Sequence, residues 1–150
     1  MMATLIAYSP DFKAQLATLW HASWLSSNPV IFPDDTVEQV PRLIDEHMTL
    51  GWRVTLAMEE DKLIGFIALK PDQNWLDQLF IAPECQGRGV GAQLLNYAKS
   101  QMPEGFKLRT GIENNGARRF YNRFGLKEID ITKSPYRDVE VVVFQWTGAK

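Results

Sequence analysis

The sequence has one cysteine, Cys85, and two histidines, His21 and His47. A lone cysteine excludes an internal disulfide. So few sulfur and imidazole ligands argue against a zinc cluster of the usual kind, and no metal is expected. No apolar run approaches the roughly 18 residues of a membrane span. The opening Met1–Pro10 segment lacks the basic start and long apolar stretch of a signal peptide. There is little excess charge either: the net value is −2, a weak pull toward nucleic acid or a membrane surface. What remains is ordinary globular composition, 45% hydrophobic and 23% charged over 150 residues. That excludes disorder. A chain of this length buries roughly 70% of the surface its unfolded form exposes. One domain spanning residues 1–150, cytoplasmic and either monomeric or homodimeric, is expected.

The charge is unevenly spread. Residues 1–60 carry three basic and eight acidic side chains, whereas residues 85–127 carry eight basic and two acidic. The first part suits a cation and the second an anion, unless both are simply solvated faces. A nucleic-acid partner is not expected, because the basic residues are scattered over several elements and the pI is 5.7.

Hydrophobic periodicity divides the chain into alternating elements. Thr4–Tyr8 reads as a strand. Asp11–Leu25 has helical spacing, with Phe12, Leu16, Leu19 and Trp20 recurring on one side. Asp34–Leu50 reads as a second helix that Pro41 kinks or splits. Arg53–Met58 and Leu63–Leu69 flank a polar tetrad and form a hairpin. Trp75–Ala82 is a further strand, followed by a helix from Gly89 to Met102. Phe106–Ile112, Asn114–Phe124, Leu126–Thr132 and Val139–Trp146 then read as strand, helix, strand and strand. The predicted fold is α+β, one mixed and mostly antiparallel sheet of about seven strands with helices on both faces.

One segment concentrates chemistry. Residues 80–95 run from a buried strand through Gln86-Gly87-Arg88-Gly89-Val90-Gly91-Ala92 into an amphipathic helix. The first turn of a helix has unpaired N–H groups and a partial positive charge. Glycines without Cβ atoms let an anion approach that backbone closely. Together they make a cradle for a phosphate or pyrophosphate, to which Arg88 adds a candidate side-chain charge. The segment is neither a Walker A loop, lacking Gly-Lys-Ser/Thr, nor a dinucleotide fingerprint, whose glycines are spaced differently.

The Gln86–Ala92 run resembles the Gln/Arg-x-x-Gly-x-Gly/Ala loop of the GNAT superfamily of N-acetyltransferases. Downstream, Asn114 to Leu126 is similar to that family's second signature, Asn-x-x-Ala-x-x-x-Tyr-x-x-x-Gly-Phe. The two motifs occur in family order, and the likeness is strongest over residues 75–128. It implies a three-layer α/β/α GNAT-like fold that binds acetyl-CoA as co-substrate.

Carried onto this sequence, the resemblance implies that the pyrophosphate sits on the amides of Gln86, Gly87, Arg88, Gly89, Val90, Gly91 and Ala92. Backbone groups of Phe80, Ile81 and Ala82 would lie against pantetheine, and Asn114 would hold that arm or cap its helix. Tyr121 matches the family's general acid, which protonates the departing thiolate. Asp77, on the strand leading to the site, is the candidate general base. Trp24, Phe32, Asp34 and Tyr136 are candidates for the acceptor pocket. The implied acceptor is a primary amine of a small molecule or of a peptide or protein. The alternative is a non-catalytic acyl-CoA-binding module of the same fold.

Overall fold

The computed structural model describes residues 3–27, 37–134 and 139–148, with the side chains of 24–27 and 37 excepted. The elements follow in the order β1 (Thr4–Ala7), α1 (Lys13–Ser27), α2 (Val40–Thr49), β2 (Arg53–Glu59), β3 (Lys62–Lys70), β4 (Trp75–Ile81), α3 (Val90–Gln101), β5 (Phe106–Gly111), α4 (Asn115–Arg123), β6 (Lys127–Lys133) and β7 (Glu140–Trp146). The strands form one seven-stranded sheet in the order β1-β2-β3-β4-β5-β7-β6. Every neighbouring pair is antiparallel except β4 and β5. The fold is α+β, a mixed sheet covered, among the described residues, by four α-helices.

The apolar runs explain the core. Leu63–Leu69 is buried along its whole length, as a central strand covered on both faces must be. Phe66, Leu56, Ile67, Leu94, Phe106 and Phe144 are wholly buried between sheet and helices. Lys13 of α1 reaches Asp45 of α2 at 2.8 Å. The other two helices also meet. A Cβ at Gly91 would stand 3.3 Å from the Phe120 ring, and the Lys99 ammonium donates to the Phe124 carbonyl at 2.9 Å.

The second helix starts later than its periodicity predicts. α2 begins at Val40 after a single 3-10 turn at Val37–Gln39, and residues 34–36 lie outside the described residues. Pro41 neither kinks nor splits it. It sits in the first turn, where the missing N–H would have had no partner and the fixed φ already suits a helix.

The parallel pair positions the site. β4 and β5 meet only where Trp75 registers with Lys107, and the Lys107 N–H donates to the Asn74 carbonyl at 2.9 Å. Beyond that point the two strands part, leaving a gap in the middle of the sheet.

Candidate active site

Ladder geometry decides which backbone groups face this gap. The Ala82 N–H donates to the Ile64 carbonyl at 2.8 Å. In an antiparallel pair alternate residues turn both backbone groups to the partner strand. Phe80 and Ala82 therefore point at β3, while Leu79 and Ile81 point into the gap. On the other side, the Ile112 N–H bonds to the Glu140 carbonyl at 3.1 Å. The same alternation turns Lys107, Arg109 and Gly111 toward the gap. Of the predicted trio, Ala82 is fully engaged: its carbonyl also accepts from the Cys85 N–H at 2.8 Å. Phe80 contributes a side chain to the cleft wall. The Ile81 carbonyl accepts from the Gln86 side-chain amide at 2.9 Å, which leaves the Ile81 N–H open.

The end of the gap meets the glycine loop. Gly87 and Gly89 have φ of +81° and +86°, and a Cβ on either would meet no protein atom within 4 Å beyond its chain neighbours. These left-handed residues turn the chain sharply into α3, a conformation that L side chains resist. The first α3 bond runs from the Gln93 N–H to the Gly89 carbonyl at 3.0 Å, and no side chain caps the helix. The N–H groups of Val90, Gly91 and Ala92 are thus left without helical partners. The Gln86 N–H is less available, being bonded to the Pro83 carbonyl at 3.3 Å. Val90 sends its side chain into the core. Arg88 turns its guanidinium to Glu59 of β2 at 3.1 Å and to the Glu84 carbonyl at 3.4 Å. Its charge is therefore committed to a surface pair rather than to the cleft.

Two other motif residues come from α4. Asn114 caps it, its Oδ1 accepting from the Ala117 N–H at 3.2 Å, and still lines the cleft. Tyr121 is 7% exposed and packs against Phe120 at 5.3 Å and Phe144 at 5.5 Å between ring centroids. Burial pushes its phenol well above the usual tyrosine range, so the group is neutral at any physiological pH.

Toward the Trp75 end the cleft is lined by Asp77, His47 and Trp20. Asp77 is the extra residue of a bulge in the β3–β4 pairing. Its Oδ2 accepts from the Trp52 indole N–H at 2.7 Å, and the Lys70 ammonium stands 3.9 Å from the same oxygen. His47 stacks on Trp52 at 4.6 Å and meets Trp20 edge-on at 5.7 Å. Burial lowers its pKa, with Asp77 opposing and Lys70 assisting, so the imidazole is neutral at pH 7. Cys85 is buried in the wall. Phe32, Asp34 and Tyr136 lie outside the described residues, as does the side chain of Trp24. Among the described residues, no three His, Cys, Asp or Glu side chains gather into a metal-binding group, and no helix is long and apolar enough to cross a membrane.

The cleft has a volume of about 1040 Å³, at the top of the range for small-ligand sites. It brings Asp77, Phe80, Ile81, Gln86, Gly87, Gly89, Gly91, Ala92, Asn114 and Tyr121 onto one surface, and leaves out Ala82, Arg88 and Val90. A model of the acetyltransferase (GNAT) family matches residues 14–126. The chain belongs to that family.

An uncharacterized N-acetyltransferase of Methanocaldococcus jannaschii is 34% identical over 94 residues, 53% of this chain and 41% of that protein. The Escherichia coli peptidyl-lysine N-acetyltransferase YjaB is 36% identical over 85 residues, 52% of this chain and 54% of that one. The chain thus spans about half the length of these two relatives. Its fold matches that of PaiA N-acetyltransferase from Thermoplasma acidophilum, solved with coenzyme A, with a TM-score of 0.77 at 21% identity over 98% of this chain and 99% of that one.

Sequence reasoning about this family member missed the residues that surround Asp77. His47 reads as a surface or packing position on a helix. Nothing in the sequence ties Trp52 to a carboxylate 25 residues away. Arg109 hides within the basic segment, although its alternation with Phe106 and Leu108 already sets it on the opposite face of its strand. Of the three α4 arginines, Arg118 is committed to Glu128 at 2.9 Å, and Arg123 lines the cleft.

Proposed function

We propose that the protein transfers the acetyl group of acetyl-CoA directly to a primary amine. The observation that carries this reading is one continuous cleft. An uncapped helix start behind two left-handed glycines opens into a gap whose strand edge still offers unpaired backbone groups. The first part fits a diphosphate, whose charge the free N–H groups of Val90, Gly91 and Ala92 would meet. The second fits an extended amide-bearing arm, which would bond to strand edges as an added strand does. The Ile81 N–H is the donor available to polarise a thioester carbonyl. That YjaB is named a peptidyl-lysine N-acetyltransferase supports an amine as acceptor.

The chemistry then assigns roles. The amine nitrogen attacks the thioester carbon, the C–S bond breaks, and the sulfur leaves with the electron pair. Tyr121 donates a hydrogen bond to that sulfur. A thiol titrates near 8.5 and an ordinary phenol near 10, and burial raises this phenol further. Stabilising the developing thiolate, rather than complete proton loss from the phenol, is the role such a group suits. The amine must also lose a proton. Asp77 takes it through a water chain at Oδ1, which has no partner among the described residues, while Trp52 and Lys70 hold Oδ2.

The test is a panel of amines with acetyl-CoA, read by release of free thiol. Thiol release that depends on one class of primary amine, with an acetylated amine recovered, is expected. Tight acetyl-CoA binding with no release for any amine would overturn transfer and leave a non-catalytic binding module.

A further inference from the structure

Arg109 is a cation at the Trp75 end of the cleft with no acid paired to it among the described residues. Its guanidinium carbon lies 4.3 Å from the centroid of the Trp75 ring, and both residues line the cleft. Among the described residues no carboxylate lies within ion-pair distance of it. A charge half-withdrawn from water ordinarily has a partner. The ring holds the guanidinium by cation–π contact, and its N–H groups, which have no partner among the described residues, suit a planar anion.

The cofactor is badly placed to be that anion. Arg109 lies two residues past Lys107, the partner of Trp75 in the parallel pair, so it stands level with Asp77, four residues or about 13 Å at ~3.3 Å per residue from Ile81, and the glycine loop that would hold the diphosphate lies beyond Ile81. The face is also wrong. Trp75 registers with Lys107, and Arg109 follows two residues on, so the two share a face of the sheet. Leu108 and its neighbour Phe144 face the other way, toward Tyr121. The only described carboxylate lining the cleft, Asp77, is already engaged by Trp52 and Lys70.

We propose that Arg109, held over the Trp75 ring, binds a carboxylate of the acceptor and so selects amines that carry an anionic group set back from the reacting nitrogen. This rests on the amine-transfer reading above and narrows its substrate class. Two sources share the chemistry: the α-carboxylate of a free amino acid, and an acidic side chain next to a lysine in a peptide.

The experiment compares matched acceptors on the intact protein. One arm pairs amino acids with their carboxamides. The other pairs lysine peptides carrying glutamate with the same peptides carrying glutamine. The wild-type protein is expected to favour the acid form of one pair by about 10- to 100-fold in kcat/KM, as a charge-assisted bidentate contact gives. The arm that shows it identifies the source. Arg109→Gln should bring that ratio near one, mainly through KM, with acetyl-CoA affinity unchanged, and Arg109→Lys should retain part of it. Equal use of acid and amide forms by the wild type, or a preference that survives in Arg109→Gln, overturns the proposal while amine transfer stands. No turnover of any member of either arm, nor of simple alkylamines and polyamines run beside them, instead refutes amine transfer and this inference with it.

Discussion

Alanine at Gly89 separates a folding effect from a binding effect. At φ +86° a Cβ meets the following carbonyl, which costs roughly 1–2 kcal/mol. No other protein atom lies within 4 Å of that Cβ, so steric strain is the whole of the stability loss. Gly51, in the turn between α2 and β2, has φ +102° and equally open surroundings, and does not line the cleft. Gly51→Ala is therefore a control with the same strain. Both variants should melt lower by about 2–4 °C per kcal/mol for a chain of this size. Only at Gly89 does the new methyl enter the space beside the three free N–H groups. Losing one charge-assisted hydrogen bond there costs about 1.5–3 kcal/mol. That is about 10- to 100-fold in Kd. Calorimetric titration of coenzyme A into the three proteins reads it. Weakening confined to Gly89→Ala is expected. Equal weakening in both variants, or none in Gly89→Ala, would refute the assignment of the loop.

Three further outcomes follow from the same geometry. Tyr121→Phe should lower turnover by about 100-fold or more, as loss of a placed hydrogen-bond donor to developing charge does, with acetyl-CoA affinity unchanged; near-normal turnover would remove the phenol from the reaction. Trp52→Phe deletes the indole donor to a buried carboxylate and should lower unfolding free energy by about 1.5–3 kcal/mol, and a melt indistinguishable from wild type would show that the 2.7 Å contact is not formed in solution. Burial lowers the pKa of His47, so the unfolded chain takes up its proton first as pH falls below the ordinary value near 6.5. Wild-type stability should therefore decline from pH 7 toward 5, and the decline should be shallower in His47→Gln; parallel curves would contradict a neutral, buried imidazole.

Elements whose information is local were legible in the chain. The alternation of Phe106 and Leu108 with polar neighbours gave β5, and Gly87-Arg88-Gly89 between an apolar strand and an amphipathic run gave the turn into α3. Asn114 was read as a cap or a cofactor contact, and the cap is formed. What stayed hidden depends on pairing at long range. Arg88 stands among glycines like an anion ligand, yet Glu59, 29 residues earlier in sequence, is nearer than the cleft. The β3–β4 bulge that releases Asp77 toward Trp52 has no marker in Trp75-Leu76-Asp77-Gln78-Leu79. Ala82 groups with Phe80 and Ile81 in the sequence because adjacent strand residues look equivalent there. Only the ladder reveals which of them points its N–H at the gap.

The claim at the centre is that main-chain hydrogens at the start of α3 hold a diphosphate. Amide ¹H–¹⁵N spectra recorded while acetyl-CoA is added observe those hydrogens directly. The signals of Val90, Gly91 and Ala92 should shift downfield with acetyl-CoA and stay unmoved with acetyl-pantetheine, which lacks the diphosphate. If those three remain silent while other amides report binding, or respond equally to both compounds, the cradle is not where the account puts it.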